Sequence, residues 1–203
     1  MDRLVVSLIL GYLIGAVPFG FIAGRLLGVD VRKHGSGNIG ATNVLRVIGA
    51  RAAAPVLLLD AAKGAAPVYL ARHLAAGVDP AWAGMLAGLA AIAGHNWSVF
   101  LGFKGGKGVA TSAGVAIMLI PRYLLAGLGA FVVAVALTRY VSLGSILGAL
   151  ATGIYVLIAP SALPEKVFGV VGAVFIIYRH KANITRLLAG QESRVGQRPG
   201  QRR

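Results

Sequence analysis

The chain alternates between long uncharged runs and short segments that hold nearly all of its charge. Seven apolar runs stand out, at residues 4–24, 52–71, 81–98, 108–121, 123–138, 141–159 and 164–178. A bilayer core is about 30 Å thick and takes roughly 20 helical residues to cross. The first three runs have ample length, whereas the fourth and seventh hold only about a dozen uncharged residues. Arg and Lys snorkelling at their ends would extend those two. Alternatively, runs four and five, divided at Pro121 and Arg122, form a shallow hairpin and five spans remain. Both counts are odd, so the termini fall on opposite sides of the membrane. The first run is uncharged over 21 residues, longer than a signal-peptide core, and other runs follow it, so it reads as a retained span. The pattern predicts an all-α, polytopic membrane protein of about seven transmembrane helices, without internal repeats. Residues 1–190 would form one domain, and 191–203 a polar, disordered tail.

Composition supports the bilayer. The chain is 57% hydrophobic and only 13% charged, about half the usual charged share of a soluble domain. Its mean hydropathy is +0.79. The net charge of +14 would suggest nucleic acid on a soluble protein. Here the basic residues lie between apolar runs, which points to anionic lipid headgroups and anionic substrates, with no nucleic acid. One set of segments carries Arg25, Arg32, Lys33, Arg46, Arg51, Lys104, Lys107, Arg139 and the seven basic residues from Arg179 onward. The other set carries Arg3, Arg72, Arg122 and Lys166. Fifteen against four predicts an external N-terminus, a cytoplasmic C-terminus and a cytoplasmic location for the richer set. Cysteine is absent, which removes disulfides, thiolate metal sites and a thioester intermediate.

Three clusters of unusual composition fall on the richer side. They are GSGNIGATN at residues 35–43, followed by Arg46; GHNWSVFLGFKGGKGVAT at 94–111; and RHKANITRL at 179–187. His34, His95 and His180 sit in or beside them. Glycine lets successive N–H groups turn toward one anion. Gly35, Gly37 and Gly40 form one candidate nest, and Gly102, Gly105, Gly106 and Gly108 another. Ser36, Asn38, Thr42 and Asn43 offer side-chain hydrogen bonds, and Arg46, Lys104 and Lys107 offer charge. Helices starting near Ala41 and Val109 would aim positive dipole ends at the same place. The plainer reading makes the glycines tight turns and the cations products of the positive-inside rule. Three clusters converging on one face weigh against it.

Two familiar motifs fail on context. Residues 35–40 spell G-x-G-x-x-G with Asp60 further on, but a dinucleotide fingerprint needs a strand before it and a βαβ unit around it. The GGKG segment resembles the end of a phosphate-binding loop, but Gly108 follows Lys107 where Ser or Thr belongs. Asp60 is the only carboxylate inside a span and lies one helical turn before Lys63, so an ion pair is the plain reading. No carboxylates cluster with the basic segments, so no metal and no cofactor are expected.

At these clusters the chain closely resembles the bacterial acyl-phosphate:glycerol-3-phosphate acyltransferase family. GSGNIGATN, GH…FKGGKGVAT and RHxxNIxRL with Gly190 and Glu192 look like its three cytoplasmic motifs, and Asp60 with Lys63 and Gly64 fits its DxxKG pattern. The likeness covers nearly the whole chain. One departure is Asn96-Trp97-Ser98, where many relatives carry a proline after the histidine. The resemblance implies an enzyme of the bacterial cytoplasmic membrane that moves a fatty acyl group from acyl phosphate to the 1-hydroxyl of glycerol 3-phosphate, giving lysophosphatidic acid and inorganic phosphate. Direct attack on the mixed anhydride needs no acyl-enzyme. The histidine–aspartate dyad at His-x-x-x-x-Asp spacing, which other glycerol-phosphate acyltransferases use, is absent here.

The resemblance implies that Arg46, Lys104, His180 and Asn183 bind glycerol 3-phosphate, with Ser145 a further candidate, and that residues 105–108 hold the acyl phosphate. Ser36, Arg46, His180 and Asn183 are the expected catalytic set; Gly37, Asn38, Thr42, Asn43, His95, Lys104, Gly105, Gly106, Lys107, Gly108 and Ser145 are expected to bind substrate. Two rivals fit less well. A transporter would place its charged site at mid-membrane between broken helices, where only Asp60 and Lys63 lie. A CDP-alcohol phosphotransferase would need clustered aspartates with metal.

Overall fold

The computed structural model describes residues 2–196, and all regular structure among them is helical. The helices are α1 (Asp2–Ala16), α2 (Phe19–Leu26), α3 (Ala41–Val47), α4 (Ala50–Leu74), α5 (Pro80–Asn96), α6 (Val109–Leu119), α7 (Pro121–Thr138), α8 (Val141–Ile158), α9 (Leu163–Arg179) and α10 (Lys181–Leu188). Five segments are long and apolar enough to cross a membrane: Arg3–Leu26, Ala50–Leu74, Pro80–Leu101, Pro121–Thr138 and Val141–Ile158. The pair α9 and α10 meets the same measure only when taken together, across a bend of 59°. The fourth run of the sequence forms α6, whose 11 residues rise roughly 16 Å, about half a bilayer. It is short for a full-length span, as the dozen uncharged residues of its run predict, yet with α7 it carries the chain away from Gly108 and back to Arg139, which bonds Val195.

Local chemistry sets the boundaries. Pro18 lacks an N–H and disfavours helix at Val17, which splits the first span into α1 and α2. Asp79 caps α5 by accepting from the N–H groups of Ala81 (2.8 Å) and Trp82 (3.2 Å), with Pro80 at the first helical position. Pro121 opens α7 directly after α6.

Small residues bring the helices together. A Cβ at Gly64 of α4 would collide with the Thr111 carbonyl of α6, and one at Gly114 of α6 with the Ala61 carbonyl of α4. Such contacts replace the hydrophobic drive that is missing between helices in lipid. The tightest pairings join α1 to α5, α4 to α5 and α6, and α8 to α7 and α9. Large apolar side chains such as Leu58, Leu125, Leu137 and Ile158 face outward, as lipid contact requires. A separate small core of Val31, Ile39, Val44, Ala53 and Val56 anchors the loop between α2 and α3 onto α4.

The polar tail expected from residue 191 begins as packed chain. Arg139, in the corner between α7 and α8, exchanges backbone and side-chain hydrogen bonds with Val195, at 2.8 and 2.7 Å. The remainder of that expected tail, 197–203, lies outside the described residues.

Candidate active site

The three clusters that are remote in sequence converge on one cavity of about 900 Å³. Its wall takes Ser36, Asn38, Thr42, Asn43 and Arg46 from the first cluster, His95, Lys107 and Gly108 from the second, and His180, Asn183 and Arg186 from the third. Asp60, Ser142, Ser145 and residues 190–193 also line it. An apolar cavity of about 90 Å³ runs between α6, α7, α8 and α9. The two share Val109, Ala113, Leu128, Phe131 and Ser145, so a polar chamber opens onto an apolar groove.

The first loop is organised from within. Asn43, 2% exposed, donates its amide to the carbonyls of Val31 (2.9 Å), His34 (3.1 Å) and Asn38 (2.8 Å), and accepts from the Ser36 N–H at 2.8 Å. Gly37 N–H donates to the His34 carbonyl (3.0 Å), and Gly40 N–H to Asn38 Oδ1 (2.8 Å). The N–H groups of Ser36, Gly37 and Gly40 are therefore engaged inside the loop. The glycines serve the backbone path rather than an open anion nest: Gly35 and Gly37 take φ of 62° and 70°. What the loop presents to the cavity is side chains, above all Arg46, whose guanidinium has no hydrogen bond or ion pair among the described residues.

The second loop is clamped from two sides. Gly106 N–H donates to the His95 carbonyl at 3.0 Å. Arg179 donates Nε and Nη2 to the Gly106 carbonyl (3.0 and 2.8 Å) and Nη2 to the Gly105 carbonyl (3.2 Å). A Cβ at either glycine would strike His95, so these positions need glycine for close approach. The clamp delivers Lys107, whose Nζ donates to Asn183 Oδ1 at 2.6 Å.

The C-terminal segment closes the network. Glu192 accepts from Asn183 Nδ2 (2.6 Å), Ser142 Oγ (2.9 Å) and Arg186 Nε (2.7 Å). Burial raises the Glu192 pKa, but those three donors outweigh it and hold the carboxyl below its ordinary value. Burial, with Arg186, Arg46 and Arg179 adding repulsion against the pull of Glu192, brings the Lys107 ammonium down to about 8. His180, just past the end of α9, donates Nδ1–H to the Ile176 carbonyl at 2.7 Å, because a carbonyl can only accept. Burial and the nearby Lys107 push it down to about 4, so at neutral pH the imidazole is uncharged.

Sequence-expected residues divide cleanly. Ser36, Asn38, Thr42, Asn43, Arg46, His95, Lys107, Gly108, Ser145, His180 and Asn183 line the cavity. Gly37, Lys104, Gly105 and Gly106 do not. Lys104 is exposed on the loop before the clamp, so it is Lys107 that the structure brings beside Asn183. Ser145 Oγ turns back to the Val141 carbonyl at 2.8 Å. Glu192, Ser142 and Arg186 were not among the expected site residues. Glu192 could have been found as a carboxylate amid so many cations, whereas nothing in the local pattern singles out Ser142.

A helical bundle of membrane-crossing length with a basic polar chamber at the ends of its helices, open to an apolar groove, defines an integral membrane protein suited to a phosphorylated amphiphile. The model of the family described as glycerol-3-phosphate acyltransferase matches residues 5–190, and the chain belongs to that family. A glycerol-3-phosphate acyltransferase of Synechococcus elongatus is 48% identical over 196 residues, covering 94% of this chain and 93% of its own. One of Rubrobacter xylanophilus is 46% identical over 200 residues, covering 97% of each. The crystal structure of PlsY, an integral membrane glycerol 3-phosphate acyltransferase, in its glycerol 3-phosphate form superposes with a TM-score of 0.89 at 39% identity, over 95% of this chain and 96% of that one. The lysophosphatidic acid form gives 0.86 at 39% identity, over 95% of each.

Proposed function

We propose that this protein transfers a fatty acyl group from acyl phosphate to the 1-hydroxyl of glycerol 3-phosphate. The observation that carries the reading is the continuity of the cation-lined chamber with the apolar groove. Two phosphorylated reactants, one bearing a hydrocarbon tail, need that pairing of surfaces. Similarity to the two crystal forms of the related acyltransferase supports glycerol 3-phosphate as the acceptor.

The hydroxyl oxygen attacks the acyl carbonyl carbon, the bond to the phosphate oxygen breaks, and phosphate leaves. The mixed anhydride is activated already, so no acyl-enzyme is needed. Arg46 and Lys107 hold phosphate oxygens, as a guanidinium fork and an ammonium do. The Ser36 hydroxyl and the amide hydrogen that Asn183 does not give to Glu192 donate to the developing oxyanion. His180 commits Nδ1–H to Ile176, which leaves Nε2 as the ring's acceptor. A histidine held near 4 is a weak base at neutral pH, so a substrate phosphate oxygen takes the hydroxyl proton. Each carboxylate of the wall has a cationic partner, Asp60 with Lys63 and Glu192 with Arg186. The N-terminus lies outside the cell and the chamber opens to the cytoplasm, as the basic asymmetry requires.

The purified protein should turn over synthetic acyl phosphate with glycerol 3-phosphate in the presence of a chelator. Replacing acyl phosphate by acyl-CoA should abolish product. Turnover with acyl-CoA, or an absolute Mg²⁺ requirement, would overturn the donor assignment.

A further inference from the structure

Beside the chamber, three titratable side chains are buried together where α4 meets α5. They are Asp60 and Lys63 on α4 and His95 on α5, with exposures of 2%, 3% and 3%. Lys63 Nζ lies 2.8 Å from Asp60 Oδ1 and donates to the Val17 carbonyl at 2.6 Å. Val17 precedes Pro18 at the break between α1 and α2, where helical partners for carbonyls run out. His95 Nδ1 faces the same Asp60 oxygen at 3.8 Å, and His95 Nδ1 has no hydrogen-bond partner among the described residues. The opposite edge of the ring, at Nε2, lies against Gly106, the residue whose N–H is already held by the His95 carbonyl. Lys107 follows immediately and enters the cavity.

An ion pair stapling one turn of α4 to the next explains Lys63 and Asp60, but it leaves unexplained a histidine from another helix aimed at the carboxylate. Nor does it explain why the far edge of that ring forms the seat of a catalytic loop. At 3.8 Å the carboxylate acts on the ring as a neighbouring negative charge, which favours the tautomer and ring orientation that aim an Nδ1–H at it. We propose that Asp60, Lys63 and His95 form a positioning relay for Lys107. Lys63 fixes the Asp60 carboxylate, the carboxylate fixes the His95 ring, and the ring fixes the turn at Gly106 from which Lys107 emerges. Through Val17 the relay is anchored to the break in the first span. It rests on the reading of Lys107 as a phosphate-binding residue, and none of its three members needs to touch substrate.

The test is hydrogen exchange on the purified full chain in detergent, alongside steady-state kinetics. The variants are His95→Leu and the double variant Asp60→Asn/Lys63→Gln, which removes both charges together and leaves no lone buried ion. In both, amides of residues 105–108 should exchange at least about tenfold faster while those of α8 keep their wild-type rates, and kcat/KM should fall about 10- to 100-fold. Wild-type exchange at 105–108 in either variant overturns the relay. So does exchange raised equally in the loop and in α8, which would mark a merely structural role. Misfolding of the double variant leaves His95→Leu to decide, because that change spares the ion pair. Failure of the underlying reading looks different: Lys107→Met would keep wild-type kinetics, whatever the exchange data show.

Discussion

The two glycine-rich loops look alike in sequence and do different work. The loop of residues 35–43 has as its hub one buried asparagine, Asn43, bonded to four backbone groups of the segment 31–38. The loop of residues 105–108 has no hub of its own. It is gripped by residues from two other helices, His95 of α5 and Arg179 of α9. Each delivers one cation to the chamber, Arg46 from the first and Lys107 from the second. The shared lesson is that glycine here permits backbone paths and close approach, while side chains meet the anion. The difference is that damage to the first loop should stay local, whereas damage to the second should travel through α5 and α9.

The largest effect should come from the delivered cation itself: Lys107→Met should lower kcat/KM about 10²–10³-fold, the scale of losing one preorganised charged donor, with a folded protein by circular dichroism. Gly106→Ala comes next. Its methyl would strike the His95 ring and displace Lys107, and a misplacement of an ångström costs up to about 10²-fold in kcat in steady-state assays. Asn43→Ala should act on the first loop alone. It leaves backbone groups unsatisfied at about 1–3 kcal/mol, read as a lower midpoint of thermal unfolding and a raised KM for glycerol 3-phosphate, with the alkaline pH limb unchanged. The smallest effect should be Lys104→Ala, an exposed side chain outside the cavity, at no more than about twofold in either kinetic constant. A large loss there would restore Lys104 to the site and break the distinction between the loops.

Much of this was legible in the chain. Apolar runs gave six of the long helical segments, because lipid leaves few alternatives to a helix. The three clusters were visible because glycine, asparagine and cations interrupt hydrophobic sequence so sharply. The shortness of α6 was legible too, in the dozen uncharged residues of its run and in Pro121 and Arg122, which end it. Two matters were not. The choice between Lys104 and Lys107 depends on the clamp at Gly105 and Gly106, whose partner Arg179 is far away in sequence. The place of Glu192 depends on the chain folding back past Gly190, which composition alone reads as a solvated tail.

The central claim is that a partly buried Lys107 binds substrate phosphate as a cation, and its titration tests this most directly. An ammonium whose pKa is lowered to about 8 binds phosphate below that pH and loses its charge above it. The profile of kcat/KM for glycerol 3-phosphate should therefore fall along an alkaline limb centred near 8. In Lys107→Arg, whose guanidinium stays charged, that limb should move up beyond about pH 10 even if the rate drops. An alkaline limb that stays in place in Lys107→Arg would contradict the account.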